Sequence, residues 1–277
     1  MTVNMHALFE QSDNVPQIPE VVRTLIVQLE DNTADFAEIA DNIAKEQSIS
    51  LKILRLVNTA YYGLPGKVSS INQALVILGM GELKQLVIVS GFVDSLSTIP
   101  GLDLNDFWLD NFRTATYAKE LSKQCGLEKS EIIFTAGLIN SLGKILIYLG
   151  APDFAKKIDT AIEAGQSRSE AERHYLGFTY QQVCTELCRQ WQFSEDLLEI
   201  ITQSDQPLNY DHPSSAACAI YIAKYISEAT YSNQVHELIV DNFPVAEWEY
   251  LGLQEDDIAD KMNELQALNT GIEGLLD

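Results

Sequence analysis

Apolar residues recur at intervals of three and four along nearly the whole chain, and strict alternation of apolar and polar residues is rare. This spacing places apolar side chains along one face of an α-helix. In the segment 20–30, for example, the apolar face comprises Val21, Val22, Leu25, Ile26 and Leu29. The pattern therefore predicts an all-α fold.

The segment 97–101, Ser-Thr-Ile-Pro-Gly, is typical of a linker between helical bodies. A length of 277 residues also suits about two packed domains. We expect an N-terminal helical bundle over residues 5–97 and a C-terminal helical bundle over residues 102–230. Residues 231–277 are predicted to form an acidic, partly helical C-terminal extension.

The composition is strongly acidic, with 40 Asp and Glu against 18 Lys and Arg and a formal net charge of −22. Such a charge disfavours phosphate backbones and anionic membrane surfaces, so we expect no nucleic-acid and no membrane partner. It is compatible with a basic protein partner, although solubility alone also explains it.

From the sequence we expect neither a secretory signal nor a membrane-spanning segment. Residues 1–10 lack a basic region followed by an apolar run, and no stretch reaches the roughly 18 apolar residues of a membrane span. We therefore expect a cytoplasmic protein. Its four cysteines, at 125, 184, 188 and 218, are interpreted as buried small apolar residues rather than metal ligands.

Two ordered runs carry a family resemblance. The first combines Ile18-Pro19-Glu20 with the segment 51–63, Leu-Lys-Ile-Leu-Arg-Leu-Val-Asn-Thr-Ala-Tyr-Tyr-Gly, and the segment 68–79, Val-Ser-Ser-Ile-Asn-Gln-Ala-Leu-Val-Ile-Leu-Gly. It resembles the N-terminal half of an HDOD domain, and residues 106–228 resemble the HD-like half of that family. The resemblance covers about residues 5–230 and implies a bacterial signal-transduction module.

The resemblance also identifies where a metal site would lie. HD-superfamily enzymes hydrolyse phosphate esters with a metal held by a His, a His-Asp pair and a later Asp, because imidazole and carboxylate groups hold a divalent ion that activates water. The flanking residues place these positions at Asp110, at Asn140 and Ser141, and at Lys224. Every metal-binding residue type is replaced, so we expect no metal, no cofactor and no catalytic residues.

The segment 135–144, Thr-Ala-Gly-Leu-Ile-Asn-Ser-Leu-Gly-Lys, contains the replaced pair. One interpretation is a tight helix crossing at its small residues, with the Asn140 amide bonded to backbone or to Asp110. The other is a vestigial pocket that binds a small polar ligand without cleaving it. That pocket would be lined by Asp110, Asn140, Ser141, Lys224, Ser204 and Asp205, the last two standing where the family often has histidines before a proline.

Three functional hypotheses follow from these residues. The preferred one is a non-catalytic regulatory module that acts through unknown protein partners, themselves signalling proteins. The alternatives are a metal-dependent phosphohydrolase with a site rebuilt from other residues, and a sensor of nucleotide-like molecules that uses the vestigial pocket. Asn58, Tyr61 and Tyr62 are candidate interaction residues near the joint of the two bodies, although packing explains them as well.

Overall fold

The computed structural model describes residues 4–10, 17–27, 36–59, 62–64, 66–96, 98–231 and 243–268. Within these ranges the protein is all-α, and the only bridge between extended residues is an isolated pair, Ile99 and Leu102. The prediction of an all-α fold is confirmed. The helices, in chain order, are α1 Ala7–Glu10, α2 Glu20–Val27, α3 Phe36–Lys45, α4 Gln47–Val57, α5 Ile71–Asp94, α6 Leu104–Gln124, α7 Ser130–Ile139, α8 Leu142–Gly150, α9 Pro152–Glu163, α10 Arg168–Tyr175, α11 Tyr180–Gln190, α12 Glu195–Gln203, α13 Ser215–Tyr231, α14 Val245–Tyr250 and α15 Ile258–Gln266.

The helices fall into two compact units. The smaller contains α2 to α5, and the larger contains α1 together with α6 to α15. Helix α1 belongs to the larger unit because Leu8 packs beside Gly150 at the end of α8, where a Cβ added to the glycine would lie 2.7 Å from Leu8 Cδ2. The sequence grouped these first residues with the N-terminal bundle, which differs from the observed packing.

In the smaller unit, α5 packs against α2, α3 and α4. Ser70 caps the start of α5 by accepting a hydrogen bond from Gln73 N at 3.2 Å, as its position before an apolar run suggests. Gly79 kinks the helix with φ 79° and ψ 167°. Leu51 is 61% exposed, whereas Ile53, two residues further along α4, is buried.

In the larger unit, α6 packs along both α7 and α13, and α8 packs along α11. The acidic C-terminal part contributes to this unit, since α14 and α15 pack on α13 and bury Trp248 and Met262. Of the apolar residues noted there in the sequence, Leu238 and Ile239 lie outside the described residues. Tyr250 is 44% exposed.

Asn140 and Ser141, the pair at the predicted metal position, form the break between α7 and α8. Two glycines allow neighbouring helices to approach on either side of this break. A Cβ at Gly137 would lie 2.7 Å from Ala115 Cα in α6, and one at Gly143 would lie 1.9 Å from the Tyr180 carbonyl oxygen in α11. The tight helix crossing considered from the sequence is present.

Two helical segments are long and apolar enough to cross a membrane by length and composition, Ile71–Asp94 and Ser130–Gly150. Of their most apolar windows, 56% and 89% are buried inside the protein. Such burial is also found in the core helices of globular domains. The cytoplasmic location stays a prediction.

Substituting Gly143 by alanine is expected to destabilise the larger unit. The new methyl group would overlap backbone atoms of α11, which cannot swing aside as a flexible side chain can. Such overpacking costs about 3 kcal/mol or more of unfolding free energy. Urea unfolding monitored by circular dichroism measures it.

Gly66→Ala is the control, because a Cβ there meets nothing within 4 Å. It should change the unfolding free energy by less than about 0.5 kcal/mol. A Gly143→Ala protein as stable as this control would contradict the close approach of α8 and α11.

Candidate functional site

A cavity of about 630 Å³ lies in the larger unit. We call it the central cavity. Charged side chains from four helices and one loop line it, with four carboxylates against three cations: Asp106 and Asp110 of α6, Lys144 of α8, Arg168 of α10, Lys224 and Glu228 of α13, and Asp205 after α12. Three of the six residues predicted for a vestigial pocket, Asp110, Asp205 and Lys224, therefore share one cavity. Lys144 and Arg168 were not among the predicted lining residues.

The other three predicted residues do not line the central cavity and are buried. Asn140 Nδ2 donates to the carbonyl oxygen of Gly137, and Ser141 Oγ donates to Asn140 Oδ1 at 3.1 Å. Ser204 Oγ donates to the Ile201 carbonyl oxygen at 2.8 Å, at the end of α12. Their polar groups are thus bonded within the break between α7 and α8 and at a helix end.

The two carboxylates among the predicted residues accept hydrogen bonds from nearby donors. Ser227 Oγ donates to Asp110 Oδ1 at 2.7 Å. Asp205 accepts from Ser169 Oγ at 2.6 Å, from Arg173 at 3.0 Å and from Gln181 at 3.2 Å. Both carboxylates are therefore hydrogen-bonded to side chains other than the two lysines of the central cavity.

Tyr180 is the shared contact of the two cavity lysines. Its ring centroid lies 4.8 Å from Lys144 Nζ and 4.9 Å from Lys224 Nζ, and Lys224 also donates a hydrogen bond to the phenolic oxygen. The electron-rich ring face attracts ammonium groups. Gly143 makes this contact possible, because it lets α8 reach the backbone of Tyr180 directly before Lys144.

The pKa values of Lys144 and Tyr180 reflect mainly their burial. Burial lowers the pKa of Lys144 to about 8, the charges of Arg168 and Lys224 act in the same direction, and Asp110 and Glu228 oppose them. Burial raises the pKa of Tyr180 to about 12 against the opposing charge of Lys224. Tyr180 is therefore a neutral phenol at pH 7.

Lys224 behaves differently from Lys144. Burial alone would lower the pKa of Lys224, but the interactions with Tyr180 and Glu228 outweigh burial and raise it above its ordinary value. Lys224 is thus charged at neutral pH, whereas the Lys144 ammonium is close to losing its proton. The pKa values of the two lysines of the central cavity are therefore shifted in opposite directions.

A buried carboxylate, that of Glu172, is hydrogen-bonded to the backbone of Tyr180. Glu172 is fully buried. Its Oε2 accepts a hydrogen bond at 2.7 Å from the backbone N–H of Tyr180, which is the first residue of α11. Burial raises the pKa of Glu172, while Arg168, 3.5 Å away, and the Tyr180 N–H lower it. Arg168 also donates to Asp159 at 3.1 Å. Arg168 is therefore engaged with carboxylates outside the central cavity.

The central cavity does not suit a divalent metal ion. Asn140 and Ser141 bond to each other and to backbone, and an ammonium group stands at the Lys224 position, where the family resemblance would place a carboxylate ligand. Across the described ranges, no group of three or more His, Cys, Asp or Glu is arranged to hold a metal. An ammonium group at a ligand position repels a metal cation.

The candidate interaction residues near Asn58 have a structural explanation. The Asn58 side chain donates to the Leu54 and Val68 carbonyl oxygens at 2.6 and 2.8 Å, and accepts from Val68 N at 2.8 Å. It thereby ties the end of α4 to the loop before α5. Tyr62 is partly buried, and Tyr61 lies outside the described residues.

The fold and the site together define an all-α protein with a lysine-lined central cavity. The model of the HDOD domain family matches residues 15–207, so this chain belongs to the HDOD domain family. The resemblance seen in the sequence is confirmed. Among curated proteins, an uncharacterized protein of Treponema pallidum (strain Nichols) is 23% identical over 160 residues, which is 57% of this chain and 31% of that protein. The match thus spans less than a third of that relative's length.

Several solved structures share the fold. A "Putative phosphohydrolase" of Shewanella amazonensis SB2B is 26% identical with a TM-score of 0.79, over 99% of this chain and 100% of the other. An HDOD domain protein of unknown function from Geobacter sulfurreducens has 19% identity and a TM-score of 0.74, over 96% and 98%. A "Putative signal transduction protein" of Marinobacter aquaeolei VT8 has 18% identity and a TM-score of 0.74, over 92% and 58%.

Replacing Lys144 by methionine is expected to stabilise the protein at pH 7. The pKa of Lys144 is about 8 in the folded state against an ordinary value of 10.5 for lysine, so the unfolded chain binds more protons between these values. Stability is therefore lost as pH falls from 10.5 to 8, and the cost is complete below 8. After allowance for water in the cavity, we expect a gain on the order of 1 kcal/mol at pH 7.

Urea unfolding at pH 7 and pH 10 measures the gain of Lys144→Met over wild type, which should shrink at the higher pH. Lys156→Met, at an exposed lysine of α9, is the matched control and should show no such trend. A Lys144→Met protein less stable than wild type at pH 7 would contradict the destabilising effect of the buried Lys144 charge.

Proposed function

We propose that this chain is a non-catalytic regulatory module of signal transduction that acts by contacting other proteins. The observation that carries the proposal is the pair of ammonium groups, Lys144 and Lys224, around Tyr180 in the central cavity. Lys224 occupies the position at which the family resemblance places the last metal-binding carboxylate. A positive side chain there serves neither metal binding nor the activation of water by a metal.

Hydrolysis of phosphate esters in the HD superfamily depends on the metal-bound water. The residues around the central cavity offer a carboxylate at Asp110, but its Oδ1 accepts from Ser227, and the amide of Asn140 is bonded to backbone. A catalytic reading would need a second donor set, built from other residues. The name "Putative phosphohydrolase" belongs to the Shewanella amazonensis protein. Phosphohydrolase activity of the present chain is the alternative that the experiment below tests.

The partner in this proposal is another signalling protein. The net charge of −22 disfavours nucleic acid and anionic membranes and favours a basic protein surface. Membership of the HDOD domain family and the fold shared with a protein described in signal transduction support the same class of role. The location we propose is the cytoplasm, where such partners act.

The proposal predicts no metal-dependent hydrolysis of phosphate esters. The purified protein, incubated with 4-nitrophenyl phosphate or bis(4-nitrophenyl) phosphate, should show no turnover above a buffer blank in Mg²⁺, Mn²⁺, Fe²⁺ or Zn²⁺. Release of 4-nitrophenol is the measurement.

Asp110→Asn is the control that separates true activity from a contaminant, because it removes the one carboxylate at a family metal position. Turnover that appears with a metal and disappears in Asp110→Asn would contradict the non-catalytic role. Turnover equal in wild type and variant identifies a contaminating enzyme and leaves the expected result, no activity of this chain, in place.

A further inference from the structure

The exposed aliphatic side chains of the described residues all belong to the smaller unit. Six large apolar side chains are exposed in the part of the chain that the structure describes: Val27, Leu51, Val76, Ile77, Tyr210 and Tyr250. The two tyrosines belong to the larger unit, and their hydroxyl groups donate to the carbonyl oxygens of Thr202 and Pro213. The four aliphatic residues have no such polar group. Two of them, Val76 and Ile77, are adjacent on α5.

Helix α5 is enclosed after the Gly79 kink but covered on one side only before it. Residues 83–92 are buried in an unbroken run. Before the kink, Ile71 and Ala74 are buried, whereas Val76 is 85% and Ile77 is 49% exposed. The outward face of a surface helix is ordinarily polar. Adjacent aliphatic residues on such a face indicate a surface that another molecule covers.

The two exposed residues of α5 lie beside a groove of about 550 Å³ within the smaller unit. We call it the α5 groove. The loop before α5 and the first turns of α5 line it: Leu64, Gly66, Lys67, Val68, Asn72, Gln73, Val76 and Ile77. The Asn58 side chain holds this loop to the end of α4 by bonds to the backbone of Val68. Arg55, three residues before Asn58, is one helical turn from this connection.

The charges around the α5 groove are positive in an otherwise acidic protein. The segment 47–81 contains Lys52, Arg55 and Lys67 and no Asp or Glu, although the chain has a net charge of −22. Lys52 pairs with Asp94. Arg55 and Lys67 are exposed and form no ion pair within 4.0 Å among the described residues. Because salt screens exposed charges beyond about 8 Å at physiological ionic strength, a segment in the groove meets these cations rather than the net charge.

We infer that the α5 groove binds an acidic amphipathic segment of a partner protein. Apolar side chains of the segment cover Val76 and Ile77, and its carboxylates face Lys67 and Arg55. Burial of apolar surface supplies the affinity, and the charge pairs select the partner. The groove volume has room for several large side chains. The acidic remainder of the chain repels such a segment at other places, which favours this one surface.

This inference rests on the proposed function, because it names the surface through which a regulatory module contacts its partner. A partner whose surface is basic as a whole would meet the acidic remainder of the chain while its acidic segment lies in the α5 groove. Two other occupants are disfavoured by charge. The net charge of −22 opposes an anionic membrane, and a symmetric contact between two copies would bring Lys67 and Arg55 of both copies together.

The test begins with a library of random peptides displayed on phage and selected on the full wild-type chain. We expect the enriched peptides to combine large apolar residues with Asp or Glu. Synthetic copies labelled with fluorescein then serve as probes, and fluorescence anisotropy measures their affinity for the protein. The affinity should fall as the salt concentration rises, because the paired charges are at the surface.

Val76→Glu and Lys67→Glu should each weaken peptide binding about tenfold, because one places a carboxylate in the apolar contact and the other reverses a charge. Val27→Glu and Lys45→Glu are the matched controls, at exposed residues of the smaller unit outside the α5 groove. They should change the affinity less than about twofold. Circular dichroism checks that all four variants keep the helical fold.

A charge exchange tests the pairing itself. Probe peptides in which Lys replaces every Asp and Glu should bind wild type about tenfold more weakly than the original peptides. They should bind Lys67→Glu protein more tightly than wild type, because the exchanged charges again have opposite signs. A substitution that merely disturbed the fold would weaken both kinds of peptide.

Three results would overturn the inference. The first is a selection that enriches no peptides or enriches peptides without Asp and Glu, and the second is an affinity that Val76→Glu or Lys67→Glu leaves unchanged. The third is a different occupant, shown by binding to phosphatidylserine vesicles or by a dimer in analytical ultracentrifugation that Val76→Glu abolishes. Each result leaves the non-catalytic role standing, because the hydrolysis assay with Asp110→Asn tests that role separately.

Discussion

The contact between Gly143 and the backbone of Tyr180 sets the geometry of the central cavity. With no side chain at 143, α8 lies against α11 so closely that a Cβ would overlap the Tyr180 carbonyl oxygen. The next residue, Lys144, is thereby placed beside the Tyr180 ring. Glu172 holds the same tyrosine through its backbone N–H, and Lys224 reaches the phenol from α13. Tyr180 therefore takes part both in the packing of α8 against α11 and in the contacts of the two lysines.

In this HDOD domain, helix packing and local hydrogen bonds explain the residues around the break between α7 and α8. The glycines of the segment 135–144 serve helix packing, so they are needed whether or not a metal binds. The polar residues Asn140 and Ser141 close the break between α7 and α8 with their own hydrogen bonds. The Lys224 ammonium group, which donates a hydrogen bond to the Tyr180 phenol, stands where the family resemblance places a carboxylate ligand.

The fold was largely predictable because local rules decide it. Helical spacing of apolar residues indicated α6 and α12, and Ser70 marked the start of α5. Helix α10 was missed because its sequence, Arg-Ser-Glu-Ala-Glu-Arg-His-Tyr, is polar and lacks an apolar stripe; its capping box at Ser167 and Glu170 was the available signal. Asp110, Asp205 and Lys224, three of the six residues predicted to line a pocket, lie together at the central cavity. Lys144 was visible in the segment 135–144, whereas its meeting with Tyr180 depends on tertiary packing that spacing does not encode.

The metal content of the purified protein tests the central claim most directly. Wild-type protein from medium supplemented with Mn²⁺, Fe²⁺ and Zn²⁺ should contain far less than one metal ion per chain by inductively coupled plasma mass spectrometry. A variant that combines Asp110→His, Asn140→His, Ser141→Asp and Lys224→Asp supplies the missing ligand types and gives a comparison at the same positions. Wild-type protein that holds one metal ion per chain, and loses it on Asp110→Asn, would contradict the account.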